Sequence, residues 1–169
     1  VEGDRLREQQ RQLPKQFSNM SVLSTLGIRP GGGCHFLAEG YAAMARQLVP
    51  LVNQYNYGVE PKTSITPPNI RSVSFVNDRK DEIKLVFDQD VKWDEEIIER
   101  FYLDDSSAEL TAVGGSGKTI TLKLAGPSMA NNLSYVRGGK WRQDQSIIWG
   151  VNDLAALTFC EVPIRLSKD

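Results

Sequence analysis

Two hydrophobic rhythms divide this chain. From Leu37 the apolar residues fall at 37, 41, 44, 45, 48 and 52, the spacing of one face of an α-helix. From Asn69 onward the rhythm changes to alternation by twos. In "RSVSFVN" Val73 and Phe75 share one face; in "EIKLVFDQDV" Ile83, Leu85 and Phe87 point inward while Lys84 and Asp88 point outward. "FYLDD", "AELTAV", "TITLKL", "NLSYVRG" and "SIIWG" follow, separated by turn residues, and "LAALTFCEVPI" closes the series. About six to eight short strands at this spacing predict a β-sandwich of roughly 100 residues, of Ig-like or jelly-roll type. "WDEEIIER" interrupts the alternation and predicts a helical turn.

The part before the strands reads differently. "DRLREQQRQL" consists of strong helix formers with Leu6 and Leu13 as sparse apolar positions, and Pro14 predicts its end. "MSVLSTLGI" is a short apolar run and predicts a buried strand; "RPGGGCHF", rich in Gly and Pro, predicts a loop. The helix from Leu37 follows, with Pro50 within it and Gly58 at its end. The order is helix, strand, glycine loop, helix, which is an α/β pattern. "VEPKTSITPPNI" carries Pro61, Pro67 and Pro68 and suits an extended linker. The expected organisation is therefore an α/β part over residues 1–58, a proline-rich linker over 59–68 and a β-sandwich over 69–169. One strand and two helices cannot bury a core unaided. Residues 1–58 are expected to be the last third of an α/β domain whose other strands lie on another polypeptide or piece.

Composition narrows the classes of function. A 169-residue chain, 40% hydrophobic and 24% charged, fits one ordinary domain or two small ones. Its net charge of −1 and the mixing of acids and bases in "NDRKDEIK" and "DEEIIER" argue against nucleic acid as a partner. No apolar run approaches the roughly 18 residues needed to cross a bilayer, so no membrane partner is expected. Cys34 and Cys160 lie far apart and form neither a disulfide framework nor a metal-ligand pair. With one histidine and no paired cysteines, neither a metal nor another cofactor is expected. The chain begins at Val1, which reads as processing or trimming from something longer. Asn19 and Asn132 stand in glycosylation triplets, a pattern that also arises by chance.

Three further stretches invite chemistry. "GGSGKT" resembles a phosphate loop, but Ala112 occupies the position of its first glycine and a period-two strand follows where a helix is needed; Gly114 to Lys118 therefore predicts a hairpin turn. Trp93, Trp141 and Trp149 are either a stacking platform for sugars or aromatics of the sandwich core and rim. Asp88, Asp90 and Asp94 are either calcium ligands or ordinary solvated acidic turns.

The strongest candidate is His35, the only histidine, delivered by a glycine run to the start of a helix. "CHFLAEGYAAMARQL" resembles the last motif of the SGNH-type hydrolases, in particular the carbohydrate-esterase branch described as sialate O-acetylesterase-like. In that family a catalytic histidine on a loop precedes a helix with a Gly-Tyr step, here Gly40 and Tyr41. "DRLREQQRQL" and "MSVLSTLGI" resemble the family's penultimate helix and last strand, so the resemblance covers residues 4 to 58. The β half is similar, more loosely, to an accessory sandwich appended to some of these esterases.

The resemblance implies a flavodoxin-like α/β domain, here only its C-terminal part, and hydrolysis of acyl esters by a serine nucleophile. His35 would take the serine proton as general base and return it to the leaving sugar hydroxyl; an ordinary imidazole, with a pKa of about 6.5, suits both steps. An acetylated carbohydrate is the implied substrate and an extracellular or periplasmic location is expected with it. Two departures follow from the residues. The family's acid three positions before the histidine is Gly32 here, so a backbone carbonyl, a carboxylate elsewhere or no third group at all would orient the ring. Glu39 is expected to face solvent. No serine stands in a Gly-Asp-Ser, Gly-Gln-Ser or Gly-x-Ser-x-Gly context, so the nucleophile and the oxyanion donors are expected on an N-terminal polypeptide of the same enzyme. The alternative is a non-catalytic carbohydrate-binding or interaction module, or a structural sandwich that orients a partner domain.

Overall fold

The computed structural model of the chain describes residues 2–32, 35–138, 142 and 145–166. Helix α1 spans Glu2–Gln16, with Glu2 and Asp4 in its first turn and Lys15 in its last, charges that suit the helix dipole. Pro14 sits inside the final turn instead of ending the helix. It removes only its own N–H from the ladder, and Phe17 N still reaches Leu13 O at 2.9 Å.

The stretch expected to form a strand, residues 20–28, forms no strand. A buried parallel strand needs ladder partners beside it, and none runs past this segment among the described residues. It lies instead as irregular chain against the β half: the buried Ser24 hydroxyl donates to Ala156 O at 3.3 Å, and Ile28 is buried. Gly27, at φ 70°, lies so near Trp149 that a Cβ there would come within 2.6 Å of the indole ring.

Two-residue strands β1 (Gly31–Gly32) and β2 (His35–Phe36) pair antiparallel, with Gly32 opposite His35. Helix α2 spans Ala38–Tyr57, includes Pro50, and ends at Gly58 in the left-handed conformation, φ 66°. The chain then runs without regular structure to residue 69, where Pro67 and Pro68 are buried.

From here the chain is strands, and burial alternates by twos most clearly over Glu82–Phe87 and Thr119–Leu124, whereas Leu133–Tyr135 is buried on both faces. Strands β3 (Ile70–Phe75), β4 (Glu82–Phe87), β5 (Val91–Lys92), β6 (Phe101–Leu103), β7 (Leu110–Ser116), β8 (Thr119–Leu124), β9 (Asn132–Tyr135), β10 (Trp149–Gly150) and β11 (Phe159–Leu166) follow, with a 3₁₀ helix over Glu95–Arg100 at "WDEEIIER". Ile83, Leu85 and Phe87 are at most 1% exposed, whereas Lys84 between them is exposed. The "GGSGKT" stretch is the two-residue β7–β8 hairpin: Ser116 pairs with Thr119, and Gly117 takes φ 58° at the first turn position.

The strands do not form two separate sheets. Seven make one curled sheet in the order β6-β9-β11-β3-β4-β8-β7, and β5 pairs apart with β10. Strand β11 makes the join. Its first half pairs antiparallel with β9, and its second half pairs parallel with β3, Ile164 opposite Val73. The register shifts between Phe159 and Val162, where Glu161 takes φ 54°. Such a bulge bends a strand enough to pass from one sheet layer to another. The curl closes over a core that includes Ile83, Leu85, Ile97, Ile120, Leu122, Leu133 and Ile148, all fully buried.

Helix α1 docks on that bulge through polar groups, not through Leu6, which is 55% exposed. Its buried residue is Arg11. Arg11 Nη1 donates to Asn69 Oδ1 at 2.7 Å, and its Nε donates to Glu8 at 3.0 Å. Arg5 donates to both carboxylate oxygens of Glu161 at 3.1 and 3.2 Å.

Candidate functional site

His35 occupies the second arm of a minimal hairpin, and the geometry around it starts with glycine. A Cβ at Gly40 would lie 2.8 Å from the Pro30 carbonyl oxygen and 2.9 Å from Phe36 Cβ. Only glycine lets the first turn of α2 sit this close to the hairpin, which gives the Gly-Tyr step a steric reason. The next residue, Tyr41, then projects back onto the hairpin. Its ring meets Phe36 edge-on, with centroids 5.9 Å apart and planes at 89°, a favoured aromatic arrangement. Its hydroxyl lies 3.4 Å from His35 Nδ1.

The imidazole is exposed, and Tyr41 is its hydrogen-bond partner among the described residues. Glu39 is exposed as well, in the first turn of α2. Gly32 faces His35 directly across the β1–β2 pair. A carboxylate at that position would be a cross-strand neighbour of the imidazole, about 4.5–5.5 Å away Cβ to Cβ. Position 32 is glycine, so no side chain stands there.

No serine hydroxyl hydrogen-bonds the imidazole among the described residues. Ser24 is committed to Ala156, Ser128 to Asp105, and Ser134 accepts the Glu161 amide. Cys34 lies outside the described residues. Cys160 is half-buried on β11, and burial, followed by the nearby Glu161 carboxylate, pushes its thiol up, away from the thiolate a nucleophile needs.

Helix α2 presents the second notable feature. Leu37, Tyr41, Leu48, Val52 and Tyr55, spaced by helical turns, are 54%, 44%, 42%, 45% and 62% exposed. These include positions that the 3.6-residue rhythm assigns to a buried face. The residues α2 does bury, Gly40 and Leu51, lie to one side of that stripe. The apolar face that should pack is therefore open to solvent, and His35 stands at its head.

The remaining candidates resolve locally. Asp88 Oδ1 accepts the Asn69 amide at 2.9 Å, and Asp94 Oδ1 caps the 3₁₀ helix by accepting Glu96 N at 3.0 Å. Both are occupied in backbone capping, and no group of three or more His, Cys, Asp or Glu is arranged to hold a metal among the described residues. Trp93 packs on the β core. Trp149 wedges against Gly27 and, with Lys92 and Asp153, lines an open cleft of about 420 Å³; Trp141 lies outside the described residues. Asn19 is exposed, whereas Asn132 Nδ2 donates to Asp104 Oδ2 at 2.9 Å. No described helix is long and apolar enough to cross a membrane.

Sequence reasoning missed Tyr41 as the ring's partner. The signal available was the six-residue interval from His35 to Tyr41, which crosses a single helix start. It says that the two are close but not that the hydroxyl returns to the imidazole.

No family model matches the chain, and no curated protein matches it either. Among solved structures it is similar to a carbohydrate acetylesterase from Xanthomonas citri, with a TM-score of 0.51 and 14% identity over 74% of this chain. The chain spans 28% of that protein's length. Two structures of an S-layer protein, SbsC, match at TM-scores of 0.44 and 0.38, with 16% and 13% identity over 79% and 78% of this chain, and the chain spans 17% and 28% of those structures. At these identities the likeness to the acetylesterase is one of fold, for a mixed chain with a β-rich part.

Proposed function

We propose that this chain is the C-terminal part of a serine carbohydrate O-acetylesterase of the SGNH type. It contributes His35, the last helices of the flavodoxin-like α/β domain and a β-rich accessory domain. An N-terminal polypeptide of the same enzyme carries the serine nucleophile and the oxyanion donors. The observation that carries this reading is the pairing of an exposed imidazole with an uncovered apolar helix stripe. Leu37 and Tyr41, at the head of that stripe, adjoin His35, so a partner that covers the stripe would also reach the imidazole. The fold likeness to an acetylesterase supports the same reading at a coarser level.

In this mechanism the serine Oγ attacks the acetyl carbonyl carbon while His35 Nε2 accepts its proton. The oxyanion is held by donors on the partner. Collapse of the tetrahedral intermediate breaks the bond to the sugar oxygen, which takes the proton back from His35. Water then repeats the sequence on the acetyl-serine, releasing acetate. An extracellular or periplasmic location goes with an acetylated polysaccharide as substrate.

The test has two arms. Intact mass of the native assembly should reveal a second polypeptide bearing a serine motif. His35→Ala in that assembly should lower hydrolysis of an aryl acetate and of acetylated sugars by at least about 10²-fold. Full activity of that variant, or acetyl-ester hydrolysis by the 169-residue chain alone, overturns the proposal.

A second reading, a sugar-binding module without catalysis, draws on the Trp149 cleft and on the glycine at position 32. Under it the chain binds glycans with the same affinity after His35→Ala and loses binding after Trp149→Ala.

A further inference from the structure

A histidine works as a general base through one nitrogen only if the other carries the ring proton. In a triad a carboxylate enforces this, because it accepts and never donates. Here the place of that carboxylate, directly across the hairpin from His35, is Gly32. The group that reaches Nδ1 is the Tyr41 hydroxyl at 3.4 Å.

We propose that Tyr41 is the positioning residue for His35: its phenolic oxygen accepts a hydrogen bond from Nδ1–H and leaves the Nε2 lone pair open for proton abstraction. This rests on the reading of His35 as the base. Three observations carry it. The Tyr41 hydroxyl is the hydrogen-bond partner of the imidazole among the described residues. Edge-on packing against Phe36 gives the Tyr41 ring a contact on the hairpin that carries His35. The glycine at position 40, which admits no Cβ against Pro30 and Phe36, fixes the helix start from which Tyr41 projects. The site is thus wired by a neutral oxygen on the helix that follows the histidine, in place of an acid on the strand that precedes it.

A phenolic oxygen differs from a carboxylate in two ways. It is a weaker acceptor, so it stabilises the imidazolium less. It also has a proton of its own, which must point to solvent for the arrangement to work.

The chain has one histidine, so nitrogen-15 imidazole spectra of the full chain report this ring alone. Well above the range in which an ordinary imidazole titrates, the wild type should show a protonated Nδ1 and an unprotonated Nε2. In Tyr41→Phe the two shifts should exchange, as the ring reverts to its Nε2–H form. In Gly32→Asp combined with Tyr41→Phe the Nδ1–H form should return. In the native assembly, Tyr41→Phe should lower kcat by up to about 10⁴-fold, the loss that a wrong tautomer causes in a triad, with KM unchanged. An Nε2–H ring in the wild type, or an unaltered tautomer in Tyr41→Phe, overturns the proposal. Should Tyr41→Phe fail to fold, the wild-type spectrum alone decides. Spectra as expected in an assembly that hydrolyses no acetyl ester would sink the esterase reading and leave the role of Tyr41 in orienting the ring standing.

Discussion

The Glu8 carboxylate, on the first helix, accepts the backbone N–H of Cys160 at 3.1 Å across 152 residues of sequence. That amide belongs to the bulge of β11, where a register shift takes backbone groups out of the ladder. The neighbouring Glu161 N–H is taken by the Ser134 hydroxyl at 2.9 Å. The helix thus satisfies a donor that the curl of the sheet exposes, and the first and last parts of the chain are joined by it.

Glu8→Ala should therefore destabilise the fold by about 2–3 kcal/mol, since it strands the buried Arg11 guanidinium and the Cys160 amide together. Urea denaturation of variant and wild type gives the difference. Burial alone would raise the Glu8 carboxyl, but hydrogen bonds from Arg11 and Gln12, the Arg11 charge and the Cys160 amide outweigh it and hold it below its ordinary value. A carboxyl lowered in the folded state stabilises above the unfolded-state value and loses that contribution as pH falls through the folded one. The gap between wild type and Glu8→Ala should accordingly be full at neutral pH and shrink only below about pH 4.3.

Asp105 gives a second acid-sensitive point. The Ser107 hydroxyl, the Met129 amide and the Ser107 amide draw its carboxyl down to about 2. Asp105→Ala should loosen the loop between β6 and β7 and the strand entry at Met129, with a stability loss present at neutral pH. By the same sign argument that loss should fade between about pH 4 and the folded value. Thermal melts across that range measure it; a pH-independent difference would contradict the assignment.

Tyr135 is fully buried between Phe101 and Phe159, and its hydroxyl accepts the Ile148 amide at 2.7 Å. Burial pushes its phenol far up, so it stays protonated at any ordinary pH. Tyr135→Phe keeps the ring packing but leaves a buried N–H unpaired, which should cost about 1–3 kcal/mol. Chemical denaturation with an unchanged m-value would report it.

The α2 stripe makes the opposite forecast. Leu48→Glu and Val52→Lys alter residues exposed in this chain, so its own stability should change by no more than about 0.5 kcal/mol. Under the proposed function, the same pair should abolish co-purification with the proposed N-terminal polypeptide. Retained assembly, or a large loss of stability in the isolated chain, would show that the stripe is not the docking face.

The sequence by itself determined what depends on near neighbours. Alternation of Val73 with Phe75, and of Ile83, Leu85 and Phe87 with Lys84, named strands and their inward faces, because a strand's period of two is a local property. The glycines of "GGSGKT" named a hairpin for the same reason, and the run from Leu37 to Tyr57 named a helix. Tertiary structure decided what depends on residues far apart. Whether the strands form two sheets or one curled sheet turns on β11 meeting β3 some ninety residues earlier, which no local pattern encodes. "MSVLSTLGI" has the composition of a strand, but a strand exists only where ladder partners run beside it, and here it packs as irregular chain under Ala156 and Trp149. The sequence made His35 a candidate through its glycines and the helix behind it. Only the fold placed Gly32 opposite the imidazole and the Tyr41 hydroxyl against Nδ1, because both relations depend on how a hairpin and a helix start meet in space.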